Sequence, residues 1–162
     1  RAPRGQERDG DAYHFVDVAT FEAMVGRGAF AEHALVHGNY YGSSRSVVQS
    51  ILNTGDDVLF DIDYQGAQLL KNAFPTARSV LLMPPSMPIL EARLRGRNTD
   101  EDDVIARRMA AARHELSHFA SFDFAIVNDD FDRAYGSLRS IYVSLRHQVS
   151  HQRAQIEELL KS

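Results

Sequence analysis

Cysteine is absent from the 162 residues. That excludes a disulfide framework and any thiolate metal site, and it fits a reducing cytosol. No apolar run approaches the roughly 20 residues that a bilayer crossing needs, and no signal-peptide pattern is read in the chain. The first residue is Arg1 rather than Met, so the natural start is expected to lie elsewhere. Lysine is scarce: Lys71 and Lys161 are the two, and no G-x-x-x-x-G-K-S/T phosphate loop occurs. A strong charge of one sign is also missing. A net charge of -4 argues against a general nucleic-acid binder, with local basic clusters left open. The chain shows no repeat and no low-complexity segment. What remains is an ordinary globular composition, with 44% hydrophobic residues for a core and 25% charged residues. Its length fits one domain.

The chain is organised around Val58-Leu-Phe-Asp-Ile-Asp-Tyr-Gln-Gly66. An apolar run after the turn formers of residues 54–57 predicts a strand buried on both faces. Asp61 and Asp63 alternate with Ile62, so they leave it on one side, at the end where an open parallel sheet presents its ligand crevice. Two buried acids are costly unless a cation or donor meets them. The plainer alternative is a polar strand end followed by a helix cap.

Residues 1–10 read as a polar loop carrying Arg1, Arg4 and Arg8. Tyr13–Asp17 reads as a half-exposed strand. Thr20 is expected to cap a short helix with Phe21, Met24 and Val25 inward, ended by Gly26 or Gly28. Phe30–Val36 is a second strand, and Gly38-Asn-Tyr-Tyr-Gly42 a turn and short strand. Ser43 and Ser44 suit the N-cap of a helix through Val47, Val48, Ile51 and Leu52, stopped by Gly55. A helix over Gln65–Phe74, a strand over Ser79–Met83, a helix over Ser86–Leu94 and a strand over Phe124–Val127 follow. Leu138, Ile141, Leu145 and Val149 then keep helical spacing in a tail from about Asp132 to Leu160. Strands alternating with helices imply βαβ units and a parallel sheet. Tyr13–Gly42 differs and predicts a small antiparallel lobe.

Between Arg95 and Phe119 the chain is highly charged: the acidic run Asp100–Asp103, then Arg107, Arg108 and Arg113. Either a mobile lid or a solvated helix held by pairs such as Asp103–Arg107 would account for it. His114-Glu-Leu-Ser-His118 matches H-E-x-x-H literally. The signal is weak, because the sequence shows no clear third zinc ligand and His147/His151 repeats the spacing by chance.

Taken in order and spacing, Arg1-Ala-Pro-Arg4, Tyr13-His-Phe-Val16, Phe30-Ala-Glu32, Gly38-Asn-Tyr-Tyr-Gly-Ser43, Asp61-Ile-Asp-Tyr-Gln-Gly66, Leu94-Arg-Gly-Arg97, Arg107-Arg-Met109 and Ile126-Val-Asn-Asp-Asp130 make nearly the whole chain resemble the guanylate kinases, most closely the bacterial ones. The resemblance implies an α/β fold of the P-loop nucleoside-monophosphate-kinase kind. That fold has a parallel sheet with helices on both faces, a mostly antiparallel GMP-binding lobe (1–42), core (43–94 and 121–162) and a helical lid (95–120). It implies transfer of a phosphoryl group from ATP to GMP, with Mg²⁺ accompanying ATP. GMP and ATP are then the partners, without nucleic acid or membrane, in the cytoplasm, with a homodimer left open.

By the same resemblance, Arg1, Arg4, Tyr13 and Tyr41 clamp the GMP phosphate, since guanidinium forks fit phosphate oxygens and stay charged. Glu32 reads guanine, because a carboxylate can accept from N1–H and the 2-amino group together, a donor pair adenine lacks. Ser43 touches the base, or simply caps a helix. Asp63 holds the guanine side, and Asp61 orients Mg²⁺-bound water or the clamp arginines. Arg97 and Arg108, with Arg4, act on the transferring phosphoryl group. Arg97, Arg108 and Asn128 contact ATP, and no protein residue is a direct metal ligand. A non-catalytic GMP- or phosphopeptide-binding module and a zinc hydrolase are the competing readings. The family's glycine-rich phosphate loop has no match here. The expectation is therefore a fragment, or the ordered part, of a longer polypeptide, and negligible kinase activity should these residues be all there is.

Overall fold

Asp17 starts the first helix, α1 (Val18–Gly26), by accepting the Thr20 amide N–H at 2.7 Å. The expected cap at Thr20 is therefore displaced by three residues: Thr20 supplies the donor, and the carboxylate before it is the acceptor. The structure is a computed structural model describing residues 5, 7–11, 13–36, 38–96 and 101–161. It forms two compact units, Arg1–Arg78 and Ser79–Ser162.

The Thr20 amide, then its side chain, holds the Asp17 carboxyl below the ordinary aspartate value of 3.8. A depressed folded pKa means that the unfolded chain takes up the proton first as pH falls. This contribution is thus complete well above the ordinary value and is lost as pH falls from there through the lower folded value. Denaturant melts between about pH 5 and about pH 3 should show a steeper loss for the native protein than for Asp17→Asn. Equal slopes would mean that the charge of the cap is immaterial.

In the first unit, β1 (Phe30–Val36) and β2 (Asn39–Ser44) pair antiparallel, from Phe30↔Ser44 to Val36↔Asn39. The turn passes through Gly38 at φ 76, a left-handed conformation that favours glycine. Phe21 of α1 is buried and stacks on Phe30 at 4.6 Å and Tyr40 at 5.1 Å. Ser44 caps α2 (Arg45–Asn53), whose Val48 is buried. Asp63 caps α3 (Tyr64–Ala73) by accepting the Gly66 N–H at 2.8 Å, and α3 packs along β1.

Two expected strands do not form here. Asp9 takes the Phe15 amide at 2.6 Å, and the Gly10 amide donates to the Tyr13 carbonyl at 2.8 Å. These bonds curl residues 9–11 back toward residues 13–15, with one isolated bridge at Asp9–Tyr13. Residues 58–63 take no regular secondary structure, and neither β-pair extends a ladder to them. Leu59 is 88% exposed, so the run is not buried on both faces. An apolar run becomes a strand only where a neighbour supplies donors and acceptors. Ile62 instead packs on Gly66, where an added Cβ would come within 3.1 Å of the Ile62 Cβ.

In the second unit, β3 (Val80–Met83) and β4 (Phe124–Val127) pair in parallel, Val80 opposite Phe124. Asp123 aligns their starts by accepting from the Ser79 N–H at 2.8 Å and the Ser79 hydroxyl at 2.9 Å. Ser86 caps α4 (Met87–Arg95), and α5 (Asp102–Ser117) follows. Leu94 of α4 is buried, and Ile89 is exposed. Arg95 links the two helices through Asp102 at 2.5 Å, steadied within α4 by Glu91 at 2.9 Å. Its hydrogen bonds, first to Asp102 and then to Glu91, push the guanidinium pKa up.

The C-terminal tail is two helices, α6 (Phe131–Arg146) and α7 (Val149–Leu159), not one helical run. The break has a local cause. His147 Nδ1 lies 2.8 Å from the Val143 carbonyl, and the Gln152 amide donates to the Arg146 carbonyl at 3.0 Å. Both occupy carbonyls that a continuing helix would need. Val149 is consequently exposed rather than on an inner face.

Candidate functional site

The alternation of β2 sorts the first unit's side chains into two sets. Asn39, Tyr41 and Ser43 are more enclosed than Tyr40 and Gly42. Alternation sends Tyr41 and Ser43 to one face and Tyr40 to the other, where it meets Phe21. Opposite Ser43 in the register stands Glu32. Glu32 is only 8% exposed, the one buried charged residue among the described residues. The Ser43 hydroxyl donates to its Oε1 at 2.6 Å. A buried carboxylate with one oxygen bonded this way keeps acceptor capacity for a ligand that brings donors. Ser43 was a candidate both for base contact and for capping; Ser44 takes the cap, which leaves Ser43 to Glu32.

Tyr13 and Tyr41 come together as well, ring centroids 6.2 Å apart in an edge-on arrangement. Four of the expected GMP residues therefore form two pairs, one on Glu32 and one on the tyrosines. Tyr41 and Ser43, two apart on β2, connect them. A hollow of about 240 Å³ borders β1 on the Glu32 side, walled by Glu32, His33, Arg45, Leu69 and Asn72 among others. Tyr13 and Tyr41 are not among its walls.

Asp63 caps α3, and Asp61 is exposed, so the two acids are not the buried pair expected from the sequence. Arg1, Arg4 and Arg97 lie outside the described residues. Arg108 is exposed on α5, in the second unit. The solvated-helix alternative for residues 95–119 has direct support in the Arg107–Asp103 pair at 2.8 Å.

Asn128 follows β4, its amide donating to the Met83 carbonyl at 2.8 Å. Its own carbonyl is taken by Arg93 at 2.7 Å, whose other terminal nitrogen reaches the Asp129 carbonyl at 3.1 Å. Arg93 thus holds the turn that presents Asn128, with Arg133 on Asp129 at 2.9 Å behind it. Sequence reasoning missed this fork, because nothing local links residues 35 apart. Arg45, which donates to the Ala73 carbonyl at 3.3 Å, was missed for the same reason.

His114 and His118 stand ring to ring at 4.8 Å, with His118 Nδ1 2.8 Å from the His114 carbonyl. Among the described residues no three histidines or acids gather as a metal cage. The His147/His151 spacing is divided between the end of α6 and α7.

Comparison with known proteins agrees across the chain. A sequence-family profile, guanylate kinase, matches residues 1–145. The guanylate kinase of Salmonella typhi is 49% identical over 160 residues, covering 99% of this chain and 77% of that protein. Those of Escherichia coli (strain K12) and Alkalilimnicola ehrlichii are 48% and 47% identical, with 77% and 79% of their lengths covered. A crystal structure of guanylate kinase from Anaplasma phagocytophilum superposes with a TM-score of 0.70 at 31% identity, covering 91% of this chain and 72% of that one.

Proposed function

This chain belongs to the guanylate kinase family, and we infer that it works as a nucleoside monophosphate kinase, passing the terminal phosphoryl group of ATP to GMP to give GDP and ADP. The observation that carries this reading within the molecule is Glu32, buried on β1 with an oxygen already fixed by Ser43. Guanine offers N1–H and the 2-amino group side by side, and two acceptor oxygens answer both. Adenine would leave the carboxylate buried and unmatched, a strong basis for rejection.

In this proposal residues 1–42 are the acceptor lobe. Tyr13 and Tyr41 hold the GMP phosphate through their hydroxyls, supported by the pairing of their rings, and Arg1 and Arg4 join them by residue type. Asp63 contributes to the guanine side while capping α3. Residues 95–120 act as the lid. Arg97 and Arg108 there, with Arg4, balance charge on the transferring phosphoryl group, a reaction governed by positioning and electrostatics. Asn128, on the turn braced by Arg93, meets the ATP end.

Magnesium belongs with ATP. The ion usually keeps most of its water and binds through phosphate oxygens and one or two carboxylates, not in a protein cage. The exposed carboxylate of Asp61 fits that donor set, as an outer partner to bound water. When bound, the ion neutralises phosphate charge. No helix among the described residues is long and apolar enough to cross a membrane. The proposed setting, the cytoplasm, follows from the proposed activity in nucleotide metabolism.

A purely binding role, for phosphopeptide or GMP without catalysis, is not favoured, since the relatives compared are guanylate kinases by name. A coupled assay on the full-length polypeptide should show GDP formed from GMP and ATP, dependent on Mg²⁺, with AMP at least about a thousandfold poorer as acceptor. Equal turnover of AMP would end the reading of Glu32.

A further inference from the structure

We propose that Gly42 and Phe30 act together as a positioning device for guanine recognition: the missing side chain at 42 seats the Phe30 ring, and that seat keeps Glu32 turned toward Ser43. The proposal rests on Glu32 being the guanine acceptor.

The β1–β2 register slips once. Phe30 stands opposite Ser44, and Glu32, two residues on, stands opposite Ser43, one residue back. Ala31 is therefore the extra residue of a bulge, and it is buried. In a regular strand Phe30 and Glu32 would share a face. A bulge breaks that alternation and re-aims the side chains that follow it. Phe30 consequently lies over Gly42 and against Phe21, while Glu32 reaches Ser43 at 2.6 Å.

The fit over Gly42 has no slack. A Cβ there would sit 2.8 Å from Phe30 Cδ1 and 3.0 Å from Cγ and Cε1. The ring cannot simply swing aside, because it stacks at 4.6 Å on Phe21, which is 6% exposed and also stacks on Tyr40. Relief must come from β1 itself, at the bulge. Gly42 is not among the glycines with positive φ, so alanine there brings no backbone penalty. Room for the ring is what the position requires.

Gly42→Ala should weaken GMP binding about tenfold and reduce the preference for GMP over AMP by a similar factor, with ATP affinity unchanged. Adding Phe30→Leu should bring GMP affinity to that of Phe30→Leu alone, because the smaller side chain vacates the contact and position 42 then no longer matters. Titration calorimetry with GMP, AMP and ATP reads all three quantities. Should Gly42→Ala fail to fold, Phe30→Leu and the double variant Phe30→Leu/Gly42→Ala are compared instead. With the ring gone, alanine at 42 should be silent, and a further tenfold loss overturns the proposal. So does a Gly42→Ala protein with native GMP affinity, or a loss that Phe30→Leu leaves uncorrected. Glu32→Gln in the same titrations separates the two levels. If it leaves GMP binding untouched, the reading of Glu32 fails and this proposal with it; if it weakens GMP while the Gly42 series is flat, only the positioning device is refuted.

Discussion

Glu32→Gln is expected to weaken GMP binding roughly 10- to 100-fold, the loss of one hydrogen bond to a charged acceptor at about 1.5–3 kcal/mol. The amide keeps one acceptor but turns a donor toward guanine, which presents donors of its own. Adenine has the reverse pattern, an acceptor at N1 beside the 6-amino donor, and suits an amide better than a carboxylate. AMP binding should therefore improve as GMP binding falls, and the ratio of the two is the quantity to measure. The Ser43 hydroxyl, 2.6 Å from Oε1 in the native protein, can still donate to the amide oxygen. The variant should accordingly keep its fold, which circular dichroism and thermal melting check. A folded variant whose GMP-to-AMP ratio matches the native one would remove Glu32 from recognition.

Arg108→Ala should act on the other quantity. We expect turnover to fall about a thousandfold, at the lower end of what a charge-stabilising arginine supplies in phosphoryl transfer. The KM for GMP should stay within a few-fold, because the assigned GMP contacts lie elsewhere in the chain. Arg108 is exposed on α5, so truncation leaves no cavity, and thermal melting checks that the fold is kept. Arg108→Lys should recover only part of the rate, since a point charge cannot reproduce the planar two-pronged contact. Turnover within about tenfold of native in Arg108→Ala would show that the lid arginine is dispensable for the chemical step.

Much of the acceptor lobe was legible in the sequence because its signals are short. Gly38-Asn-Tyr-Tyr-Gly42 announces a turn entering a strand, and the register Val36↔Asn39 bears that out. The role of Glu32 came from family resemblance; its burial and its bond to Ser43 came only from the fold. The same division separates Asp63 from Asp61. A cap is visible three residues ahead of its amide, so the plain alternative for Asp63 holds. The expected burial of both acids in a strand end does not, because that required a paired strand.

The sequence alone read what depends on a few neighbouring residues: the helix starts at Ser44 and Ser86 and the four strand segments, with the Asp63 cap and the Asp103–Arg107 ion pair among its open alternatives. Each arises between groups within one turn of helix or along one strand, where spacing fixes the partners. Tertiary structure decided whether residues 58–63 pair, where β1 bulges, how closely the Phe30 ring lies over position 42, and which carbonyls Arg93 holds 35 and 36 residues away. Those outcomes turn on what the rest of the chain brings alongside, and a ladder bond, a stacked ring or a guanidinium fork exists only once that partner has arrived.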